Sequence, residues 1–122
     1  MKIMLIDIDG TITSDDIKNE DSHLYPSAVP YLDARDQINK WYGEGNHITF
    51  FTAREEKDRQ VTETWLNDNG FKYHGIIMNK PRCLSPDDEY IWIDNRKVRG
   101  ITYTNRWSEI KKVNKDILTF EE

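Results

Sequence analysis

The chain has a single cysteine, Cys83, so no intrachain disulfide can form and nothing in its cysteine usage implies an oxidising compartment. Long apolar runs are lacking too. The first run, Ile3-Met4-Leu5-Ile6, is interrupted at Asp7, which makes it too short for a signal peptide or a membrane span. The expectation is a cytoplasmic protein with no membrane partner. Positive charge is outweighed: the formal net charge is -5, which disfavours a nucleic-acid-binding face. A local pocket can still oppose the global sign and hold a small anion. The three histidines, His23, His47 and His74, are widely separated and lack the spacing of a histidine metal site. Repeats, linkers and low-complexity segments are absent.

What is present suits one folded domain over residues 1–122. Hydrophobic residues make up only 37% and charged residues 32%, but 4 Trp, 6 Tyr and 4 Phe lie in or beside apolar blocks, against disorder. Ile3-Met4-Leu5-Ile6, His47-Ile48-Thr49-Phe50-Phe51, Ile76-Ile77-Met78 and Tyr90-Ile91-Trp92-Ile93 predict four strands, and Ile101-Thr102-Tyr103 a short fifth. Leu32, Ile38, Trp41 and Tyr42 predict a helix between Pro30 and Gly43 or Gly45. A second helix is expected over 55–69, with Val61, Trp65 and Leu66 inward and Gly70 as its stop. A short last helix is expected over 107–113. Residues 13–30 are polar, with Asp15, Asp16, Glu20 and Asp21 clustered as in a solvated loop. Strand, helix, strand, helix, strand is the order of an α/β fold with a central parallel sheet and right-handed crossovers.

In such sheets ligands bind beyond the carboxyl ends of the strands. The first strand ends at Asp7 and Asp9, the second at Thr52, the third just before Lys80, and the fourth at Asp94 and Asn95. Each has an ordinary explanation when taken alone. Asp and Gly form turns, Thr caps helices, and a lysine before Pro81 can be a surface residue. Together they gather carboxylates, a hydroxyl and an ammonium at one sheet edge. Of the cations, Arg54, Arg82, Arg96, Lys97 and Arg99 read as solvated, with Arg54 nearest the mouth and so best placed to meet a substrate. Asp87, Asp88 and Glu89 read as a solvated loop.

The order of these segments resembles the haloacid dehalogenase (HAD) superfamily of phosphohydrolases. Asp7-Ile8-Asp9-Gly10-Thr11 looks like its DxDGT motif, Phe50-Phe51-Thr52-Ala53-Arg54 like its second motif, Lys80 like its third, and Ile91-Trp92-Ile93-Asp94-Asn95 like its fourth. The resemblance runs from about Lys2 to Arg96. It implies a three-layer Rossmann-like fold with helices flanking the sheet. It also implies a phosphomonoester hydrolase that passes through a phospho-aspartate. Asp7 is then the nucleophile and Asp9 the general acid and base. Thr52 and Lys80 meet the phosphoryl group, Gly10 and Thr11 border the substrate, and Gly10 permits the sharp turn. Mg2+ is implied as cofactor, on Asp7, the Asp9 carbonyl and Asp94, with Asn95 where the family commonly has a second acid. The acid at Asp9 favours phosphoryl transfer over dehalogenation.

Residues 13–30 leave room for a flap but not for a separate cap domain, and 80–90 leave none. An open site suits a bulky substrate or a homo-oligomer that completes the lid. A sugar phosphate or other small phosphomonoester is the expected substrate. A polynucleotide phosphatase is the less favoured relative because of the acidic balance. A phosphorylation-dependent signalling module is the rival from another class, but its phosphorylated Asp would end the third strand, where Asn79-Lys80 stands. A phosphate-binding protein without efficient turnover is the other, suggested by Asn95.

Overall fold

A computed structural model describes residues 1–17, 19–104 and 106–108. They fall into two compact units, Met1–Pro81 and a second that begins at Arg82. The first unit holds the sheet. Strands β1 (Ile3–Ile6), β2 (His47–Phe51) and β3 (Gly75–Ile77) lie side by side in that order. Both pairings are parallel, with Ile3 opposite His47 and Thr49 opposite Gly75. Helix α1 (Leu32–Gly43) joins β1 to β2, and α2 (Arg59–Asp68) joins β2 to β3. The fold is therefore a small α/β unit with a parallel sheet.

Two apolar faces fix its core. α1 buries Ala34 and Ile38, while Leu32 is exposed. α2 buries Thr62, Trp65 and Leu66, with Val61 only half-buried. Phe71 stacks on Trp65 with ring centroids 5.6 Å apart and meets Phe50 of β2 edge-on at 6.0 Å. Such offset and T-shaped contacts suit the aromatic quadrupole. Gly70, at φ +78, turns the chain out of α2 as expected. His47 and His74, far apart in sequence, stack at 4.6 Å, and the His74 Nδ1 accepts the Ile48 N–H.

Residues 13–30 are more than a solvated loop. Asp15, Asp16 and Glu20 are exposed as expected, but 3-10 turns span Asn19–Ser27 with a kink at Asp21, and Tyr25 is buried. The excursion is closed at its neck by a Thr13–Pro30 bridge and by the Thr13 hydroxyl, which donates to the Val29 carbonyl at 2.6 Å. Trp65 Nε1 donates to the Ala28 carbonyl at 2.8 Å and fastens the excursion to α2.

The second unit departs from the sequence expectation. Tyr90, Ile91, Trp92 and Ile93 are exposed and form no strand, and 101–103 are irregular as well. An apolar run becomes a strand only where a neighbour supplies ladder hydrogen bonds, and strand propensity is mostly this context. The helix expected over 107–113 lies mainly outside the described residues.

Trp65→Phe should cost about 1–2 kcal/mol, from one lost hydrogen bond and a smaller ring against Phe71. Urea denaturation should show a lower midpoint with an unchanged slope. An unchanged midpoint would mean that the Ala28 contact does not hold residues 13–30 to α2.

Candidate active site

All strands run the same way, so their carboxyl ends share one edge of the sheet. β1 ends at Ile6 and delivers Asp7. A tight turn follows, in which the Thr11 and Ile12 N–H groups both donate to the Ile8 carbonyl and Gly10 N–H donates to the Thr13 carbonyl. Gly10 has φ +83, a left-handed value that an L side chain adopts only with strain, and an added Cβ would meet the Asp15 Cβ at 3.4 Å. The turn therefore requires glycine, which matches the role expected from sequence.

The ends of β2 and β3 are joined beyond the strands. Thr52 N–H donates to the Ile77 carbonyl, Lys80 N–H to the Thr52 carbonyl, and Asn79 N–H to the Arg54 carbonyl. Asn79 adopts φ +61, a left-handed conformation that asparagine tolerates better than most residues. This extended pairing carries Lys80 back toward β1. Thr52 is buried, and its hydroxyl oxygen accepts the Arg54 N–H at 3.1 Å. That is a local turn bond and not the helix cap considered from sequence, since α2 begins seven residues later with no side-chain cap.

Asp7 lies between two donors. Lys80 Nζ is 3.8 Å from one carboxylate oxygen, and the Thr11 hydroxyl donates to the other at 3.2 Å. Its side chain stays 36% exposed, open to a reactant. Burial pushes the Asp7 carboxyl above its ordinary value, against the lowering effects of Lys80, the Ile8 N–H and the Thr11 hydroxyl.

Asp9 has a different setting. Arg54 grips it through two bonds, Nε to Oδ2 at 2.9 Å and Nη2 to Oδ1 at 2.8 Å. The guanidinium is 1% exposed, whereas Asp9 is 22% exposed. Nη1 donates to the Thr62 hydroxyl at 3.1 Å, and the Tyr25 ring covers the guanidinium at 3.7 Å. Arg54 was expected among the solvated cations, at the substrate mouth. Instead it is buried behind Asp9, because the turn after β2 points it inward, where a carboxylate, a hydroxyl and an aromatic face compensate its charge.

Asp7, Asp9, Gly10, Thr11, Thr52, Arg54 and Lys80 thus all belong to the first unit. Asp94 and Asn95 belong to the second. The Asp94 carboxylate accepts from Trp92 Nε1 at 3.1 Å and from the Arg96 N–H at 3.0 Å, and these bonds hold it below the usual carboxylate range. Among the described residues no three Asp, Glu, His or Cys side chains converge as a metal cluster. Tyr25 and Thr62 escaped the sequence reading. Thr62 carries a signal that could have found it, since it falls three and four residues before Trp65 and Leu66, on the buried face of α2.

A parallel α/β unit with paired aspartates, a threonine and a lysine at its strand ends is of the HAD-like phosphatase type. The chain belongs to the LNS2 domain family of PITM 1-3, which matches residues 4–109. That family has a HAD-like phosphatase fold. Two solved structures are similar. The crystal structure of an MCSG target from Vibrio cholerae has a TM-score of 0.61 and 26% identity, covering 93% of this chain and 90% of that one. The Pnkp1/Rnl/Hen1 complex has a chain with a TM-score of 0.58 and 16% identity, covering 70% of this chain and 30% of that one. The second likeness is one of fold alone. No curated protein matches the chain. Among the described residues no helix is long and apolar enough to cross a membrane.

The raised Asp7 carboxyl has a consequence for stability. The neutral acid is favoured in the fold, so its contribution is fully present below the unfolded carboxylate range and is lost as pH rises through the folded value. Asp7→Asn, which stays neutral, should melt no lower than wild type at pH 7 in EDTA, and the difference should close toward pH 3. Thermal melts across that range check this. A lower melting temperature for Asp7→Asn at pH 7 would show that Lys80 needs the ionised partner more than burial opposes it.

Proposed function

We infer that the chain is a magnesium-dependent phosphomonoester hydrolase in which Asp7 is transiently phosphorylated. The observation that carries this is the placement of Asp7: half-open at the end of β1, with Lys80 on one oxygen and Thr11 on the other. The Thr52 strand end lies beside it in the sheet.

In the first step an Asp7 oxygen attacks phosphorus and the ester P–O bond breaks. The departing alkoxide takes a proton from Asp9. In the second, Asp9 takes a proton from water, the water oxygen attacks phosphorus, and the Asp7–phosphorus bond breaks to release phosphate. Each Asp9 oxygen has one lone pair committed to Arg54 and a second left for this traffic. Lys80 offsets the charge of the phosphoryl group, and Thr52 donates to it. Both roles suit transition-state stabilisation by fixed donors.

The donor set fits a hard cation. The Asp7 carboxylate and the Asp9 carbonyl are oxygen ligands at one strand end, and magnesium retains several waters. The resemblance, by motif order alone, adds Asp94 and Asn95 as further oxygen ligands. When bound, magnesium would neutralise phosphoryl charge beside Asp7. The order β1-β2-β3 with intervening helices supports the three-layer Rossmann-like arrangement as the finer description of the fold.

A small phosphomonoester, such as a sugar phosphate, is the proposed substrate class. The net charge of -5 supports this over a polynucleotide. Residues 13–30 support an uncapped site, since they fasten to α2 through Trp65.

Phosphate release from sugar phosphates, nucleotides and a 3′-phosphorylated oligonucleotide, with magnesium and after chelation, tests this assignment. Turnover is expected on the small esters, restored by magnesium and lost by at least 100-fold in Asp7→Asn, roughly, as removal of the covalent route demands. Full activity after exhaustive chelation, or near-normal turnover by folded Asp7→Asn, would overturn it.

A further inference from the structure

Arg54 is the most fully buried charged side chain of the described residues, and none of the steps above uses it. Its contacts reach every functional segment of the first unit. Through its backbone it donates to the Thr52 hydroxyl and accepts from Asn79, the residue before Lys80. Through its side chain it holds both oxygens of Asp9, the Thr62 hydroxyl of α2 and the Tyr25 ring of residues 13–30.

We propose that Arg54 is a positioning residue that fixes the rotamer of Asp9, and that Thr62 and Tyr25 fix Arg54 in turn. This rests on the phosphatase assignment, in which Asp9 moves the proton. A carboxylate held at one oxygen can swing about its last torsion. One held at both oxygens by a planar fork cannot, so its remaining lone pairs point in set directions. Thr62 stops the fork from rotating, and Tyr25 closes its open face against water. A lysine offers a point charge on a flexible stem and cannot reproduce the fork. The clamp therefore acts on proton transfer and not on phosphate binding, so its loss falls on steps that need a proton.

Leaving-group dependence separates this role from a structural one. kcat/KM reports steps up to phosphorylation of Asp7, and three esters grade the need for a proton there: p-nitrophenyl phosphate, phenyl phosphate and glycerol 2-phosphate. For Arg54→Lys, kcat/KM should fall about 100-fold on glycerol 2-phosphate, the scale of a misplaced catalytic group, and only a few-fold on p-nitrophenyl phosphate, on the order of what remains when no proton is needed. On p-nitrophenyl phosphate the variant should show a burst of nitrophenol followed by slow turnover, because water activation still needs Asp9. A buried lysine that cannot reproduce the bonds of the fork risks the fold, so Thr62→Val provides a milder arm that leaves Arg54 and Asp9 in place. It should show the same graded pattern at about one-tenth the size, with Thr62→Ser restoring wild-type rates, as expected of a hydroxyl that orients rather than reacts.

Equal losses of kcat/KM on the three esters without a burst, in step with a reduced folded fraction, would overturn the proposal and leave the phosphatase assignment standing. Wild-type-like rates in folded Arg54→Lys would do the same. Failure of the wild-type chain to hydrolyse any of the three with magnesium would overturn the assignment and the proposal together.

Discussion

The Arg54–Asp9 pair is the constraint around which the first unit is arranged. A guanidinium that is almost fully buried needs a compensating charge and saturated donors, and meeting that need recruits four separate stretches of chain. Asp9 comes from the turn after β1, Thr62 from α2, Tyr25 from residues 13–30, and the Arg54 backbone ties Thr52 to Asn79. The buried guanidinium thus joins the first turn, α2 and residues 13–30 beside the strand ends. It also divides the two aspartates. Asp7 is partly buried between Lys80 and Thr11 yet stays open on one side, whereas Asp9 is held at both oxygens by Arg54. Replacing Asp9 leaves Arg54 buried without its counter-charge, at a cost toward the lower end of the roughly 3–5 kcal/mol seen for fully buried pairs. Under the proposed function, stability and chemistry cannot be separated at Asp9 by one substitution.

The three strands of the first unit were legible because each is an apolar run ended by a polar residue. β1 and β2 match the sequence expectation residue for residue, and β3 is shifted by one. The helices were legible in extent but less so in facing. Leu32 and Val61 were expected inward, yet Ala34 and Thr62 take the fully buried positions. Thr62 shares the buried face with Trp65 and Leu66 and accepts a hydrogen bond from Arg54 there, a partnership that hydropathy alone does not assign. Burial of Tyr25 was likewise invisible in a segment whose acidic residues suggested solvent. The run Tyr90-Ile91-Trp92-Ile93 looked like a strand for the same reason as β1, but apolar content does not supply a pairing partner.

The cluster at the strand ends was more legible than the packing around it. The DxDGT-like segment, Thr52 and Lys80 were read as one constellation from their order and strand context, and the structure brings Asp7, Thr11 and Lys80 into contact. Arg54 was misjudged because its type and position suggested a mouth residue, while its contacts are long-range: Asp9 is 45 residues earlier in sequence. Long-range polar pairing of this kind follows from the turn geometry beyond β2 and from no local pattern.

The central claim is that Asp7 becomes covalently phosphorylated, and trapping that species tests it most directly. Wild-type protein should be mixed with p-nitrophenyl phosphate and magnesium, quenched in acid within milliseconds, and reduced with borohydride, which converts an aspartyl phosphate to homoserine. Peptide mass spectrometry should then find homoserine at position 7 and nowhere else, with none after chelation of magnesium. Turnover without any homoserine at position 7, or homoserine at Asp9 or Asp94 instead, would contradict the account.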